Sequence, residues 1–580
     1  MYGWHGRILH INLTAQTWQI ETPPRELYET WIGGKGLAGH YLRPHITRSW
    51  DDPDMPLLFF TGPLVDTASP TSGRMVIMSR SPLTGTVGDT SVGGRLGTFI
   101  KRAGLDGISI TGKCDTLCGI HITEEGVEFT DAAHLRRLTV HDIMEKMDAT
   151  ASVAITGPAA EAGVRYACIM IDAHYTSGRG GLALVMEAKN LKFLTVKGNR
   201  KTDVFDKENL AGAREEIFRL ASASPILKGE LGISNFGTGA LYDLISSRRM
   251  MPTDNFRETY FDNAPAMNAW QYKERYHTKK FGCMGCHILC KKKGEDGAGI
   301  PEFETMSHFS ALLMNNDIDA VMEANHICNE AGMDTISAAS TIACYQELSG
   351  QHLSPKEFLA LLRDIAGGTG IGAELKEGSY RYAESKGHPE ASISVKKLEL
   401  PAYDPRGAYG MALAYITSTR GGCHLRAYPI SHEILRKPVA TDRFTFSGKA
   451  RIIKLSEDLN AAIDSLTACK FLFFAASLEE FSRAYHGVTG VAATAQDLLR
   501  AGERIYFHER IMNAMNGFTA ADDDLPERFF TTGGSAGNGI EVPPLSREDF
   551  LRARSDYYCV RGLDGNGMPL DDKRRELGLV

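Results

Sequence analysis

No stretch of this 580-residue chain stays apolar long enough to cross a bilayer. Runs such as Phe471–Ala476 fall far short of the ~20 residues required. A dominant charge is missing too: 64 Lys and Arg stand against 71 Asp and Glu, a formal −7. So mild an acidic excess draws no phosphate backbone, and nucleic acid is not an expected partner. The opening Met-Tyr-Gly-Trp-His-Gly lacks a charged start, an apolar stretch and a small-residue cleavage site. No secretion signal is read there, and the cytoplasm is the expected compartment. HExxH is absent, which excludes a zincin-type protease, and no GxGxxG joins a strand pattern to a helix and a distal acid, so NAD binding is not expected. Internal repeats and long low-complexity segments are also missing. At 43% hydrophobic and 23% charged residues the chain is neither disordered nor fibrous. It is too long for one core, so two or three folded units are expected.

Residues 1–203 read as a Gly-punctuated β domain. Leu57–Phe60, Met75–Met78, Gly107–Ile110, Val153–Ile155 and Phe193–Val196 are short, β-branched or aromatic, and bounded by turn residues. From about Asp206 the apolar period changes. Glu208–Leu220, Glu304–Met314, Ile318–Ala331, Lys356–Ile365 and Gln496–Met515 carry three- and four-residue spacing, which predicts amphipathic helices. Ser354-Pro355-Lys356-Glu357 reads as a capping box with proline at the first helical position. The weakly periodic stretch around 387–404 reads as a junction. The expected class is α+β: a β-rich 1–203 followed by mainly helical domains 204–395 and 396–580.

The 11 cysteines are an odd number, and Cys283, Cys286 and Cys290 fall within eight residues as CxxCxxxC. In a large reduced protein such a group points to metal rather than to a disulfide framework. Three thiolates at this spacing can take three corners of an iron–sulfur cube, the fourth ligand coming from elsewhere. The spacing reverses the CxxxCxxC of radical S-adenosylmethionine enzymes and lacks the fourth cysteine and proline of bacterial ferredoxins. A structural Cys₄ or Cys₃His zinc site uses similar spacing, with His287 able to offer a nitrogen. From the residues alone, Cys469, Cys328, Cys344 and Cys423 are equal candidates for the remote ligand.

Other groups have plain readings of their own. Gly332 stops a helix and Asp334 caps the next; Gly93-Gly94 and Gly180-Gly181 are tight turns. Glu304 is a first-turn acid favoured by the helix dipole, and an isolated histidine such as His424 is usually packed or exposed. Glu323 and His326 share one helix face at i, i+3, a solvated face or a di-metal arrangement.

Around the CxxCxxxC many short segments occur in one order. They are Gly6–Leu13, Gly33-Gly34-Lys35-Gly36-Leu37, Thr61–Leu64, Ser81–Gly85, Gly178–Gly181 with Ala188–Lys192, Pro301–Thr305, Arg420–Arg426 and Leu525–Phe529. Jointly they make the chain resemble the aldehyde:ferredoxin oxidoreductase family of tungsten, sometimes molybdenum, bis-pterin enzymes, from end to end. That resemblance implies a β-rich base holding two pterins, closed over by two helical domains. It implies that Cys283, Cys286, Cys290 and Cys469 hold a [4Fe–4S] cluster. Asp464–Cys469 is similar to the family's DxxGLC, with Thr-Ala in place of Gly-Leu. Asn329–Asp334 is similar to DxxGLD, with Asn replacing the first Asp. Asn329, Gly332, Asp334 and Asp464 are then pterin contacts; a carboxylate accepts two parallel N–H bonds from the pterin's amino-pyrimidine edge, and Asn only one. Arg74, Arg179 and the turns Gly93-Gly94 and Gly180-Gly181 would serve the pterin phosphates, with magnesium an option there.

Position 91, Ser where many relatives carry Asn, is given no side-chain role, nor are Cys423 and Arg426. The resemblance makes Glu304 and His424 catalytic: the imidazole donates to a substrate carbonyl, and the carboxylate takes a proton or activates water. The implied reaction interconverts an aldehyde and a carboxylic acid, with electrons leaving through the cluster to ferredoxin or an electron-transfer subunit. A homodimer or complex subunit is the implied assembly, and some relatives bind a metal between subunits through an ExxH. Two alternatives stay open: a family member reducing a 2-oxo acid or an aromatic thioester within a larger complex, and a zinc- or cluster-stabilised scaffold.

Overall fold

The β-branched segments pair into two sheets in the computed structural model, which describes residues 1–579. The first sheet holds β1 (Ile8–Asn12), β2 (Thr17–Glu21), β3 (Leu57–Phe60), β4 (Met75–Arg80), β5 (Val87–Val92) and β6 (Gly107–Thr111) in the order β2-β1-β6-β3-β4-β5. The second holds β7 (Cys118–Ile122), β8 (Val127–Asp131), β9 (Ser152–Thr156), β10 (Ile169–Ile171), β11 (Tyr175–Thr176) and β12 (Leu191–Val196) in the order β11-β10-β9-β12-β7-β8. Each has a single parallel pair, β1–β6 and β7–β12. Every residue of β3 is buried, as a strand covered on both faces requires, so it reads as a continuous apolar run. The five strand segments expected from the sequence all lie within these strands. Met75 pairs with Val92 across β4 and β5, so Arg74 and Gly93 leave the sheet at the same end.

Beyond β12 the chain is mainly helical. The helix Ile318–Ala331 has the expected bounds, and Lys207–Ala223, Pro355–Gly367 and Ala495–Met515 contain the other expected segments. At Ser354 the capping box forms: its Oγ accepts from Glu357 N at 3.4 Å, and the Glu357 carboxylate accepts from Ser354 N at 2.8 Å.

One expectation needs correction. The segment Glu304–Met314 is not one helix, for the helix Phe303–Phe309 stops at Ser310 and a 3₁₀ turn follows. There Ser310 Oγ donates back to Met306 O at 2.6 Å and Asn315 Nδ2 donates to Phe309 O at 3.0 Å, local bonds that compete with helix propagation. The CxxCxxxC lies in the loop joining β13 (Lys279–Phe281) to β14 (Lys291–Lys293), an antiparallel hairpin. The stretch around 387–404 also carries a hairpin, β15 (Ser394–Val395) with β16 (Leu398–Glu399).

Close backbone packing fixes the remote cysteine against the sheet region. The helix Lys449–Leu466 ends on Gly62, where an added Cβ would lie 2.5 Å from the Leu466 carbonyl. Thr467, at the position of the family's glycine, adopts the left-handed φ of 58° that a glycine takes most easily. Its Oγ1 accepts from Gly62 N at 2.9 Å and holds the turn that leads to Cys469.

Candidate functional site

A cavity of about 1860 Å³ opens at the Arg74–Gly93 end of the first sheet. It exceeds the ~300–1,000 Å³ of an ordinary small-molecule pocket. Arg74, Gly93, Arg179, Cys283, Cys290, Glu304, Asn329, Asp334, His424 and Cys469 all line it. Its lining does not include Gly94, Gly180, Gly181, Gly332, Asp464 or Cys286.

The four cysteines share one electrostatic neighbourhood, although among the described residues no three His, Cys, Asp or Glu side chains are grouped closely enough to hold a metal ion. Burial pushes the Cys469 thiol up to about 11, and it feels Cys286 and Cys283; Cys290 is raised well above the thiol range by burial, Glu302 and Cys469. Cys328, Cys344 and Cys423 lie elsewhere: Cys328 is buried near Asp334, Cys344 faces Ser379 O, and Cys423 Sγ accepts from Arg420 Nε at 3.0 Å. Arg74 is the cation of the group. Burial opposes its charge, yet Cys469, Cys283, Asp464 and Cys290 hold it firmly protonated. Ser91, assigned no role from the sequence, aims it, its Oγ accepting from Arg74 Nε at 2.9 Å. A side chain at Gly93 would overlap Cys283 Sγ, so only glycine leaves room beside the thiols. His287 faces away, its ring edge-on to Phe218 at 4.4 Å.

Glu304 and His424 meet in the same cavity, with Glu304 Oε1 3.5 Å from His424 Nε2. Glu304 Oε2 accepts from Ala402 N at 2.8 Å, while Oε1 is buried without a hydrogen-bond partner. Burial raises this carboxyl to about 7, in spite of Ala402 N and Arg179. His424 falls well below its ordinary value through burial and the cations Arg179 and Arg420, so its imidazole is neutral. The hairpin β15–β16 places it: Gly422 N donates to Val395 O at 3.1 Å, and Gly421 takes a φ of 106° against Leu398. Tyr403 and Tyr428 wall the pair, their hydroxyls 3.0 Å apart. His308, one helical turn from Glu304, was missed by sequence reading; its Nδ1 is 3.8 Å from Glu304 Oε2.

Arg179 reaches across to the helical region, donating to Glu399 O at 2.6 Å and Gly422 O at 2.7 Å. Asp334 caps the helix Thr335–Ser349, its Oδ2 accepting from Ser337 N at 2.7 Å, and still lines the cavity. Gly332 closes the preceding helix at φ 68°. Asn329 presents a side chain to the cavity wall, whereas Gly180 O accepts from Ser81 Oγ at 2.7 Å behind it. Asp464 is locked to Lys470 at 2.8 Å; burial works against its charge, but Lys470, Lys35 and Arg426 hold the carboxyl low. Arg426 also pairs with Asp89, and Asp89 with Lys35 at 2.9 Å, a buried charge network invisible to periodicity. Glu323 is taken by Arg363, and His326 is exposed beside it. Cys114 and Cys118, unremarked in the sequence, form a disulfide.

The description "Aldehyde ferredoxin oxidoreductase, N-terminal domain" fits residues 8–198, and "Aldehyde ferredoxin oxidoreductase, domains 2 & 3" fits residues 213–579. The chain belongs to the aldehyde ferredoxin oxidoreductase family. Among aldehyde ferredoxin oxidoreductases it is similar to the tungsten-containing enzyme of Pyrococcus furiosus, at 34% identity covering 100% of both chains. The tungsten-containing enzyme of Thermococcus kodakarensis is also 34% identical over 100% of both. An aliphatic sulfonate oxidoreductase, WOR-like subunit, from Pyrococcus furiosus is 26% identical over 100% of this chain and 97% of that one. The active-site complex BamBC of benzoyl coenzyme A reductase with 1,5-dienoyl-CoA shares the fold, at a TM-score of 0.86 and 20% identity, covering 100% of this chain and 97% of that one.

Proposed function

We propose that this protein interconverts an aldehyde and a carboxylic acid at a tungsten or molybdenum bis-pterin centre, passing electrons through a [4Fe–4S] cluster to ferredoxin. The carrying observation is the juxtaposition of Glu304 and His424 at 3.5 Å in the cavity that three of the four grouped cysteines also line. The donor set suits the cofactors. Buried thiols whose pKa values are raised need a strong positive partner to ionise, which a cluster provides by displacing their protons. Arg74 and the side-chain-free Gly93 packed against Cys283 fit a sulfide face or an anionic group beside them. His287, packed on Phe218, does not fit as a fourth zinc ligand. Asn329, Asp334 and Arg179 are the side chains that would hold the pterins, and magnesium at their phosphates belongs to the same reading. When bound, the bis-pterin metal supplies two-electron chemistry at the carbonyl carbon and the cluster supplies a one-electron exit.

The chain's residues do the rest. Neutral His424 donates an N–H to the aldehyde oxygen and polarises the carbonyl. Glu304, ionised above about pH 7, accepts a proton as water adds to the carbonyl carbon. Tyr403 and Tyr428 close the wall and limit bulk water. Aldehyde and water thus give the acid, with protons leaving through Glu304 and electrons through the cysteine side. Among the described residues no helix is long and apolar enough to cross a membrane, and the cytoplasm is the compartment that suits a ferredoxin-linked role.

The test is anaerobic reduction of a viologen dye by short, branched and aromatic aldehydes, using protein analysed for metals. Dye reduction by one of these classes supports the reading. Protein carrying tungsten or molybdenum and iron that oxidises none of them refutes it.

A further inference from the structure

The segment Lys279–Lys293 carries five lysines and no acid in a chain whose net charge is −7. In the hairpin Lys279 lies directly opposite Lys293, and Lys280 opposite Lys292. Like charges facing each other across strands destabilise the pairing. Lysines do protect exposed strand edges, but that role needs no facing pairs. Lys228 joins them from the neighbouring helix, and Lys228, Lys280 and Lys292 repel one another. Only Lys291 of the hairpin has an acid, Glu302 at 3.1 Å. Lys228, Lys279, Lys280, Lys292 and Lys293 form no ion pair among the described residues; Lys228 donates to His287 O at 2.5 Å, Lys280 to Asn235 Oδ1 at 2.7 Å and Lys292 to Leu289 O at 2.8 Å. Glu295 and Asp296 follow in the next turn, where Asp296 Oδ1 accepts from Ala298 N at 2.9 Å.

Apolar surface lies beside the cations. Leu231 is 70% exposed and Trp270 44% exposed. Asn235 ties this region to the lysines: its Nδ2 donates to Gly229 O and Glu230 O, both at 3.1 Å, and its Oδ1 accepts from Lys280. Trp270 stacks on Phe236 at 5.2 Å, with the Lys273 ammonium 4.5 Å from the Phe236 ring centre. Two acids border these anchors, Glu274, which accepts from Trp270 Nε1 at 2.7 Å, and exposed Glu230 beside Leu231, but the exposed lysines outnumber them, and apolar side chains beside such a charged rim have the composition of a protein-docking site. The cysteine loop faces it as well. Cys283, Cys290 and Cys469 line the inner cavity, whereas Cys286 does not; Cys286 follows the exposed Gly285 and lies within electrostatic reach of Lys228.

We propose that the exposed lysines of β13 and β14, Lys279, Lys280 and Lys293, with Leu231 and Trp270, form the docking surface for a small acidic protein carrying a one-electron iron–sulfur centre, with Cys286 in the loop beside it. The proposal rests on the reading of the four cysteines as cluster ligands. In each encounter the reduced cluster loses one electron and the partner's oxidised centre gains it, with no bond made or broken; two encounters discharge one aldehyde oxidation. An acidic chain repels an acidic partner overall, so a local cationic face is needed to steer association.

The experiment measures binding of an acidic [4Fe–4S] ferredoxin to the holoenzyme at low and high salt, alongside dye-linked aldehyde oxidation. The variant is Lys279→Glu with Lys280→Glu and Lys293→Glu; the control reverses Lys113, Lys201 and Lys356, exposed on other elements. The hairpin variant is expected to weaken ferredoxin binding at least about tenfold and to lose most of its salt dependence, with viologen reduction kept within about twofold. The control keeps wild-type binding. Wild-type affinity in the hairpin variant overturns the proposal, as does a DNA duplex that displaces ferredoxin from the wild type at equal concentration. If the triple reversal expresses poorly, Lys279→Gln with Lys293→Gln is judged by the same criterion. Loss of aldehyde oxidation with dye in the wild type itself would count against the aldehyde reading, while the binding result decides the docking surface separately.

Discussion

Replacing Glu304 by Gln removes a charge from a site that resists it. Burial raises this carboxyl from 4.5 to about 7. A raised folded value means the folded state holds the proton more tightly than the unfolded one. Stability from this group is therefore full below about pH 4.5 and is lost as pH rises through about 7. At roughly 1.4 kcal/mol per pKa unit, the ionised carboxylate costs at most about 3.5 kcal/mol above that range. The side chain keeps 17% exposure toward the cavity, which screens part of that cost. Glutamine can still accept from Ala402 N, so that tertiary contact is preserved. The variant should unfold at a higher temperature than wild type near pH 8, and the two should converge near pH 4.5. Turnover should behave oppositely. Wild-type kcat should rise with pH through about 7 as Glu304 ionises. The variant should lose about 10²–10⁴-fold and show no such rise, as loss of a general base does. Calorimetry and a dye-linked pH profile on metal-analysed protein read both. A variant less stable than wild type at pH 8, or one that keeps its activity, would refute the reasoning.

Three further outcomes are expected. Cys469→Ser should lose iron and the brown absorbance; a full cluster would assign the fourth ligand to another residue. Gly93→Ala, whose added Cβ would overlap Cys283 Sγ, should lower iron content while leaving far-UV circular dichroism unchanged, and normal iron loading would contradict the close packing there. Ser354→Ala removes the cap of the helix Pro355–Gly367 and should cost about 1 kcal/mol in denaturant unfolding, with aldehyde oxidation unchanged.

Local signals made much of this architecture readable. Leu57–Phe60 is a strand because its β-branched and aromatic neighbours gain by burial on both faces, and Ser354 starts a helix because its hydroxyl and Glu357 close on each other's backbone. The Glu304–Met314 pattern misled because apolar spacing does not register Ser310 and Asn315, whose side chains bond to the backbone and end the helix. Periodicity also gave no hint that the cysteine loop is framed by a lysine hairpin. The remote cysteine could not be chosen from residues alone, for four cysteines read alike; only the family resemblance pointed to Cys469, whose thiol lies within electrostatic reach of Cys286 and Cys283. The pairing of Glu304 with His424, 120 residues apart in the sequence, depends on Gly421 and Gly422 packing against a hairpin within a stretch that reads as a junction. The buried network of Lys35, Asp89 and Arg426 is likewise tertiary: each residue reads as an ordinary surface charge until the helices close over it.

Elemental and pterin analysis of the anaerobically purified protein tests the central claim most directly. The account predicts tungsten or molybdenum with about four irons per chain and a bis-pterin. Zinc alone, with neither iron nor pterin, would contradict it.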